Sequence, residues 1–156
     1  MWKWHKDRES NQSQLVYSWE SRFPDTSHSY LSLQQCQDHV NSVWEDLKIT
    51  FAPPTVTDGR GSCAARFYEH RIMLPRWARN LTILCHEISH GIVDLFSYHD
   101  SMDHGGMFLH TYITILGRYA GYRYTDLKYS ALDYGLNLNG IKLRCKLKQA
   151  RCLRYK

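Results

Sequence analysis

The 156-residue sequence contains no apolar run approaching the roughly 18 to 20 residues that a membrane-spanning helix requires. Its first residues also lack the apolar stretch of a signal peptide. We therefore expect a protein that has no membrane partner and is not exported. A chain of this length can bury a substantial hydrophobic core, so one main domain is the default expectation.

The sequence is also poor in paired cysteines. It has five, an odd number, and none of them forms a Cys-x-x-Cys pair of the kind that builds a structural zinc site or a redox centre. A disulfide framework is not expected from such a scattered set, and a reducing cytoplasm is the simplest location. The cysteines are Cys36, Cys63, Cys85, Cys145 and Cys152.

Acidic residues are absent from the last part of the chain. Residues 141–156 hold seven Lys or Arg and no Asp or Glu, which leaves 13 bases against 15 acids elsewhere. Apolar and basic residues alternate from Ile141 to Lys148, a pattern typical of a strand with one cationic face. One interpretation is weak, non-specific DNA binding through phosphate contacts. The other is a solvated edge strand whose lysines prevent aggregation.

The remaining pattern predicts a mixture of helices and a small sheet, and hence the α+β class. Ser32 and Gln35 have the spacing of a capping box, and apolar residues on one face continue that helix to Leu47. We expect an N-terminal extension over 1–30 that is helical in part, a catalytic domain over 31–140 and a basic tail over 141–156. The predicted elements are helices over 10–23, 32–47, 76–98, 105–121 and 126–134, and a β hairpin within 59–75.

The central predicted helix carries the motif His86-Glu87-Ile88-Ser89-His90. Residues four apart on a helix lie one above the other, so His86 and His90 can direct both imidazoles at one zinc ion. Glu87 lies about 100° further round the helix, beside the metal. There a carboxylate can accept a proton from the attacking water and pass it to the leaving amine. The motif therefore predicts a zinc hydrolase.

A catalytic zinc site needs a third protein ligand. Glu87 is the last glutamate of the chain, which excludes every arrangement that uses a downstream glutamate. His104 follows a short loop and precedes two glycines that allow a close backbone approach, so we favour it as the third ligand. Asp94 is better placed to orient a ligand imidazole. The alternatives to His104 are His99, His110 and Asp94.

Four segments between residues 59 and 116 together resemble the SprT-like zinc metallopeptidases, the Spartan-related family. They are the segment 59–63, the strand ending Ile72-Met73-Leu74, the helix 84–91 and the sequence His104-Gly105-x-x-Phe108. The resemblance implies a minimal zincin fold, in which a small antiparallel or mixed sheet packs on the helix that carries H-E-x-x-H. The C-terminal zinc ribbon of many family members is incomplete here, since only Cys145 and Cys152 occupy that region.

The resemblance further implies Zn2+ as the cofactor, His86, His90 and His104 as its ligands, and Glu87 as the general base. A protein or peptide substrate is then expected, with DNA-associated proteins as one class of target. Two alternatives remain. One is a nucleic-acid-binding or adaptor protein on the same scaffold with little turnover, and the other is a zinc hydrolase that acts on a non-protein amide.

Overall fold

The computed structural model describes residues 3–23, 30–96 and 104–139, with side chains from residue 11 onwards. In chain order the helices in these ranges are α1 (Lys3–Glu20), α2 (Leu33–Asp46), α3 (Leu81–Phe96), α4 (Gly106–Tyr119) and α5 (Tyr124–Asp133). The strands are β1 (Thr55–Asp58), β2 (Arg66–Tyr68) and β3 (Arg71–Leu74), and a 3-10 turn covers Arg76–Ala78. The α+β class is confirmed.

The chain divides into two compact units, one of residues 24–91 and the other of residues 1–23 with 92–156. The first unit holds a three-stranded mixed sheet in the order β1-β3-β2. Strand β3 pairs in parallel with β1, where Val56 lies opposite Ile72, and antiparallel with β2, where Phe67 lies opposite Ile72. Ile72 and Leu74 are fully buried. The central strand therefore supplies the apolar centre of the sheet.

Helix α2 begins where the sequence predicts it. The Ser32 hydroxyl accepts a hydrogen bond from the backbone of Gln35, and the Gln35 side chain accepts one from the backbone of Ser32, which completes the capping box. Gln37 connects the helix to β1, because its amide oxygen accepts from the Val56 N–H at 2.7 Å and its nitrogen donates to the Pro54 carbonyl at 3.1 Å. This amide satisfies backbone groups at the outer edge of β1.

The same unit contains the start of α3 as far as Gly91. A Cβ atom added at Gly91 would lie 3.1 Å from the ring of Phe67 in β2 and 3.4 Å from the ring of Trp44 in α2. Glycine in a helix interior costs about 0.5–1 kcal/mol relative to alanine. Here the absent side chain lets two aromatic rings approach the helix directly after His90.

The second unit packs α1, α4 and α5 around aromatic residues. Trp19 of α1 is 1% exposed, donates from its indole nitrogen to the Ser130 hydroxyl at 2.9 Å, and meets the Tyr112 ring edge to face. The Gln12 side chain donates to the Asn137 carbonyl at 3.2 Å. The segment predicted as an N-terminal extension therefore contributes buried residues to this unit.

The sheet departs from the predicted hairpin in two places. Strand β2 begins at Arg66 because the Ser62 hydroxyl hydrogen-bonds the backbone of Ala64 and holds the preceding segment in a turn. Strand β1 is not among the predicted elements. The turn between β2 and β3 has positive φ at both Glu69 and His70, at 47° and 61°, which is the arrangement of a type I′ turn.

The helices agree with the predictions in number, and their bounds differ. Helix α1 runs from residue 3 to 20 and so starts earlier than predicted, while α4 and α5 lie within two residues of their predicted limits. The predicted strand over 141–148 lies outside the described residues, and the domain boundaries stay a prediction. None of the helices in the described ranges is both long and apolar enough to cross a membrane.

Candidate metal centre

Helix α3 carries the His-Glu motif one turn after its start. The Asn80 side chain accepts a hydrogen bond from the Ile83 N–H at 3.0 Å and caps the helix after the 3-10 turn. This cap explains why α3 begins at Leu81, five residues later than predicted. The apolar residues Leu84, Cys85, Ile88 and Ile92 of α3 are fully buried, so the helix is held by its apolar face.

The imidazoles of His86 and His90 converge, as their spacing predicts. Their Nε2 atoms lie 3.2 Å apart and the ring centroids 5.0 Å apart. Two nitrogens bound to one tetrahedral zinc, at about 2.0–2.1 Å each, lie about 3.3 Å apart. The separation within this pair therefore fits two ligands of a single ion.

His104 lies immediately before Gly105, the N-cap residue of α4. It is 6% exposed, and its Nδ1 atom lies 3.0 Å from the Ser13 hydroxyl of α1. Its ring packs in a T-shaped arrangement against the rings of Tyr17 and Phe108. The centroid of the imidazole lies 5.0 Å from that of Tyr17 and 4.7 Å from that of Phe108. The side chain is thus fixed by contacts on several sides.

The three predicted ligands are brought together. One potential ligand atom from each of His86, His90 and His104 lies within 4.8 Å of the other two. His86 and His104 are buried and His90 is partly buried. Among the described residues, this is the one group of three or more such side chains close enough to hold a metal ion. A set of three imidazoles suits a borderline metal such as zinc, copper or nickel.

Of the alternative ligands, Asp94 and His110 do not belong to this group. Asp94 is exposed on α3, and His110 is buried in α4. His99 lies outside the described residues. Glu87 is only 5% exposed and follows His86 directly in α3, so a buried acidic residue is the chain neighbour of one of the three histidines.

The described cysteines stand apart from the imidazole cluster. Cys63 is exposed and Cys36 and Cys85 are buried, and none of the three forms a disulfide within the described residues. Burial raises the pKa of the Cys36 thiol to about 11, with Arg79 acting in the opposite direction, so this thiol is neutral near pH 7. These thiols therefore behave as small core or surface residues.

Sequence reasoning did not identify Ser13 as part of this site. It is separated from His104 by 91 positions, and no motif joins the two residues. A comparison of the chain with protein-family models, curated proteins and solved structures gave no significant match. The geometry of the side chains therefore carries the functional argument.

Proposed function

We propose that this protein is a zinc-dependent metallopeptidase in which His86, His90 and His104 hold the metal and Glu87 is the general base. The observation that supports it is the convergence of three imidazoles, together with a buried Glu87 that directly follows His86 in the same helix. Three histidines leave the fourth position of a tetrahedral zinc open, as catalytic zinc sites require. A site built only for structure is normally closed by four protein ligands.

A zinc ion held by His86, His90 and His104 would act as a Lewis acid, polarising a carbonyl oxygen and lowering the pKa of water towards ~7. The Glu87 carboxylate accepts the proton of the attacking water and delivers it to the amine that leaves when the peptide bond breaks. Glu87 is the next residue of α3 after His86 and lies about 100° further around the helix axis. Burial at 5% exposure keeps bulk water from competing for this carboxylate.

The substrate in this proposal is an extended polypeptide that adds a strand to the outer edge of β2. This edge has no neighbouring strand within the described residues, and β2 packs on α3 through Phe67 next to Gly91. Arg66 and Tyr68 are exposed on either side of Phe67. Main-chain hydrogen bonds of an added strand bind peptides with little dependence on their sequence. A cytoplasmic location and DNA binding by residues 141–156 remain predictions.

Metal analysis of the purified chain tests the first half of the proposal. We expect about one zinc per chain, lost on changing His86, His90 or His104 to Ala. His70→Ala is the matched control, because His70 hydrogen-bonds the Ala52 carbonyl in a turn outside the cluster and should keep full zinc content. Equal zinc content in all four variants and the wild type would contradict the ligand assignment.

A general protease assay with labelled casein tests the second half. Glu87→Gln is close to isosteric, so it should keep the fold and the zinc while losing at least about 100-fold in turnover, the usual scale of general-base removal. Retained zinc with lost turnover separates metal binding from chemistry. Wild-type turnover no greater than that of Glu87→Gln would refute the peptidase proposal and favour an adaptor on this scaffold.

A further inference from the structure

The contact between α1 and His104 has a chemical consequence for the metal centre. Ser13 is partly buried, and its hydroxyl lies 3.0 Å from Nδ1 of His104. An imidazole that binds a metal through one nitrogen carries its proton on the other, and that N–H needs an acceptor. Since Nδ1 contacts Ser13, Nε2 is the nitrogen that remains for a metal.

A serine hydroxyl can either donate or accept, so the direction of this hydrogen bond matters. If Nδ1–H donates to Ser13, the lone pair of Nε2 is available to a metal. If Ser13 donates to Nδ1, the neutral ring carries its proton on Nε2 and cannot ligate through that atom. Metal binding at Nε2 therefore requires Ser13 to act as the acceptor.

Two aromatic rings restrict His104 in other directions. Tyr17 follows Ser13 by one turn of α1, and Phe108 lies in the first turn of α4, four residues after His104. The two rings meet the imidazole at steep angles of 65° and 70°. Such packing fixes the plane of the imidazole. It does not distinguish the two ring orientations that exchange Nδ1 with the Cδ2 carbon. The hydrogen bond to Ser13 makes that distinction.

We propose that Ser13 is a positioning residue of the metal centre, which selects the ring orientation and tautomer of His104 that present Nε2 to the metal. The inference rests on the proposed metal site and makes α1 part of it. Partners that orient a ligand histidine typically change metal affinity by about 10- to 100-fold when removed. A neutral hydroxyl belongs at the lower end of that range.

The test measures the zinc dissociation constant of the full-length protein by competition with a chromogenic chelator. Ser13→Ala should bind zinc about tenfold more weakly than the wild type. Ser13→Thr keeps the hydroxyl and should restore the affinity to within about threefold of the wild type. Ser18→Ala is the control, because Ser18 lies on the same helix and its hydroxyl contacts Tyr134 instead.

The outcomes separate this inference from the metal site itself. Absence of zinc binding by the wild type would overturn both. Zinc binding by the wild type with unchanged affinity in Ser13→Ala would overturn the role of Ser13 and leave the site standing. Equal losses in Ser13→Ala and Ser18→Ala, or no recovery in Ser13→Thr, would also overturn it, since the hydroxyl at residue 13 would then not be the cause.

A spectroscopic measurement covers the case in which Ser13→Ala does not fold. In the zinc-loaded wild type, nitrogen NMR of the histidine rings should find the His104 proton on Nδ1, in slow exchange because Ser13 accepts it. A His104 ring that binds zinc through Nδ1 would overturn the inference without any variant.

Discussion

The start of α4 offers a sharp test of the packing that positions His104. Gly106 is the first residue of the helix, and a Cβ atom added there would collide with the carbonyl carbon and oxygen of Asn139 and lie 3.0 Å from its nitrogen. These are backbone atoms, which cannot rotate away as a side chain does. Gly117 lies in the last turn of the same helix, where an added Cβ would meet no atom closer than 3.5 Å, so it is the matched control.

The two substitutions should have opposite signs. Alanine is favoured over glycine within a helix by about 0.5–1 kcal/mol, and Gly117→Ala should gain up to that amount. Overpacking costs typically about 1–3 kcal/mol, and the collision at Gly106 is with rigid backbone, so Gly106→Ala should lose about 2 kcal/mol after its helix gain. The expected difference between the variants is about 2–3 kcal/mol.

Urea unfolding of the metal-free variants measures this difference, and thermal unfolding checks it. For a chain of this size 1 kcal/mol corresponds to about 2–4 °C in Tm. Gly106→Ala should therefore melt about 5–10 °C below Gly117→Ala. Because Gly106 follows His104 by two residues, Gly106→Ala should also weaken zinc binding. Equal stability of the two alanine variants would refute the close approach of residue 139 to the helix.

Two further predictions concern the first unit. Burial lowers the pKa of His39 in the folded protein below its ordinary value of 6.5. The unfolded chain therefore binds the proton more readily than the folded one. The free energy of unfolding should fall as the pH drops through 6.5 towards the pKa of the folded state. Urea unfolding at pH 7.5 and 5.5 should show a smaller acid loss in His39→Gln than in the wild type, and identical losses would contradict this. Glu69 has positive φ, a conformation that asparagine tolerates better, so Glu69→Asn should raise the unfolding free energy by about 0.5 kcal/mol. The control is Glu45→Asn on the exposed face of α2, which should lower the unfolding free energy because asparagine is a poorer helix former than glutamate. Equal shifts in the melting temperature of the two variants would argue against backbone strain at the turn.

The predictions from sequence succeeded where the signal is local. The capping box of Ser32 and Gln35 requires only three positions, and the convergence of His86 and His90 follows from the helical repeat. His104 was reached by combining the motif with the two glycines after it. For the capping box and for the pair His86 and His90, a short stretch of chain contains the whole physical cause.

The misses depend on contacts between distant residues. Strand β1 is four residues long, follows two prolines and forms by pairing in parallel with β3. No local sequence pattern predicts such a pairing. The early start of α1 was missed because its first residues, Lys3 to Glu9, are polar or charged apart from Trp4 and show no apolar period. Gln12 is accommodated by a hydrogen bond to residue 137, which the sequence does not reveal.

The contacts of α1 also constrain the order in which the chain folds during synthesis. Trp19 finds its hydrogen-bond partner Ser130 only 111 positions later, whereas the contacts within residues 24–91 close over shorter distances. At about 5–20 residues per second, the ribosome needs on the order of 5 to 20 s to make that intervening stretch. Tyr112, the ring partner of Trp19 in α4, is made 93 positions after Trp19, so for most of this interval Trp19 lacks both partners. The nascent α1 therefore waits longer for its partners than the elements of residues 24–91 wait for theirs, and it is a segment that binding by a chaperone would protect.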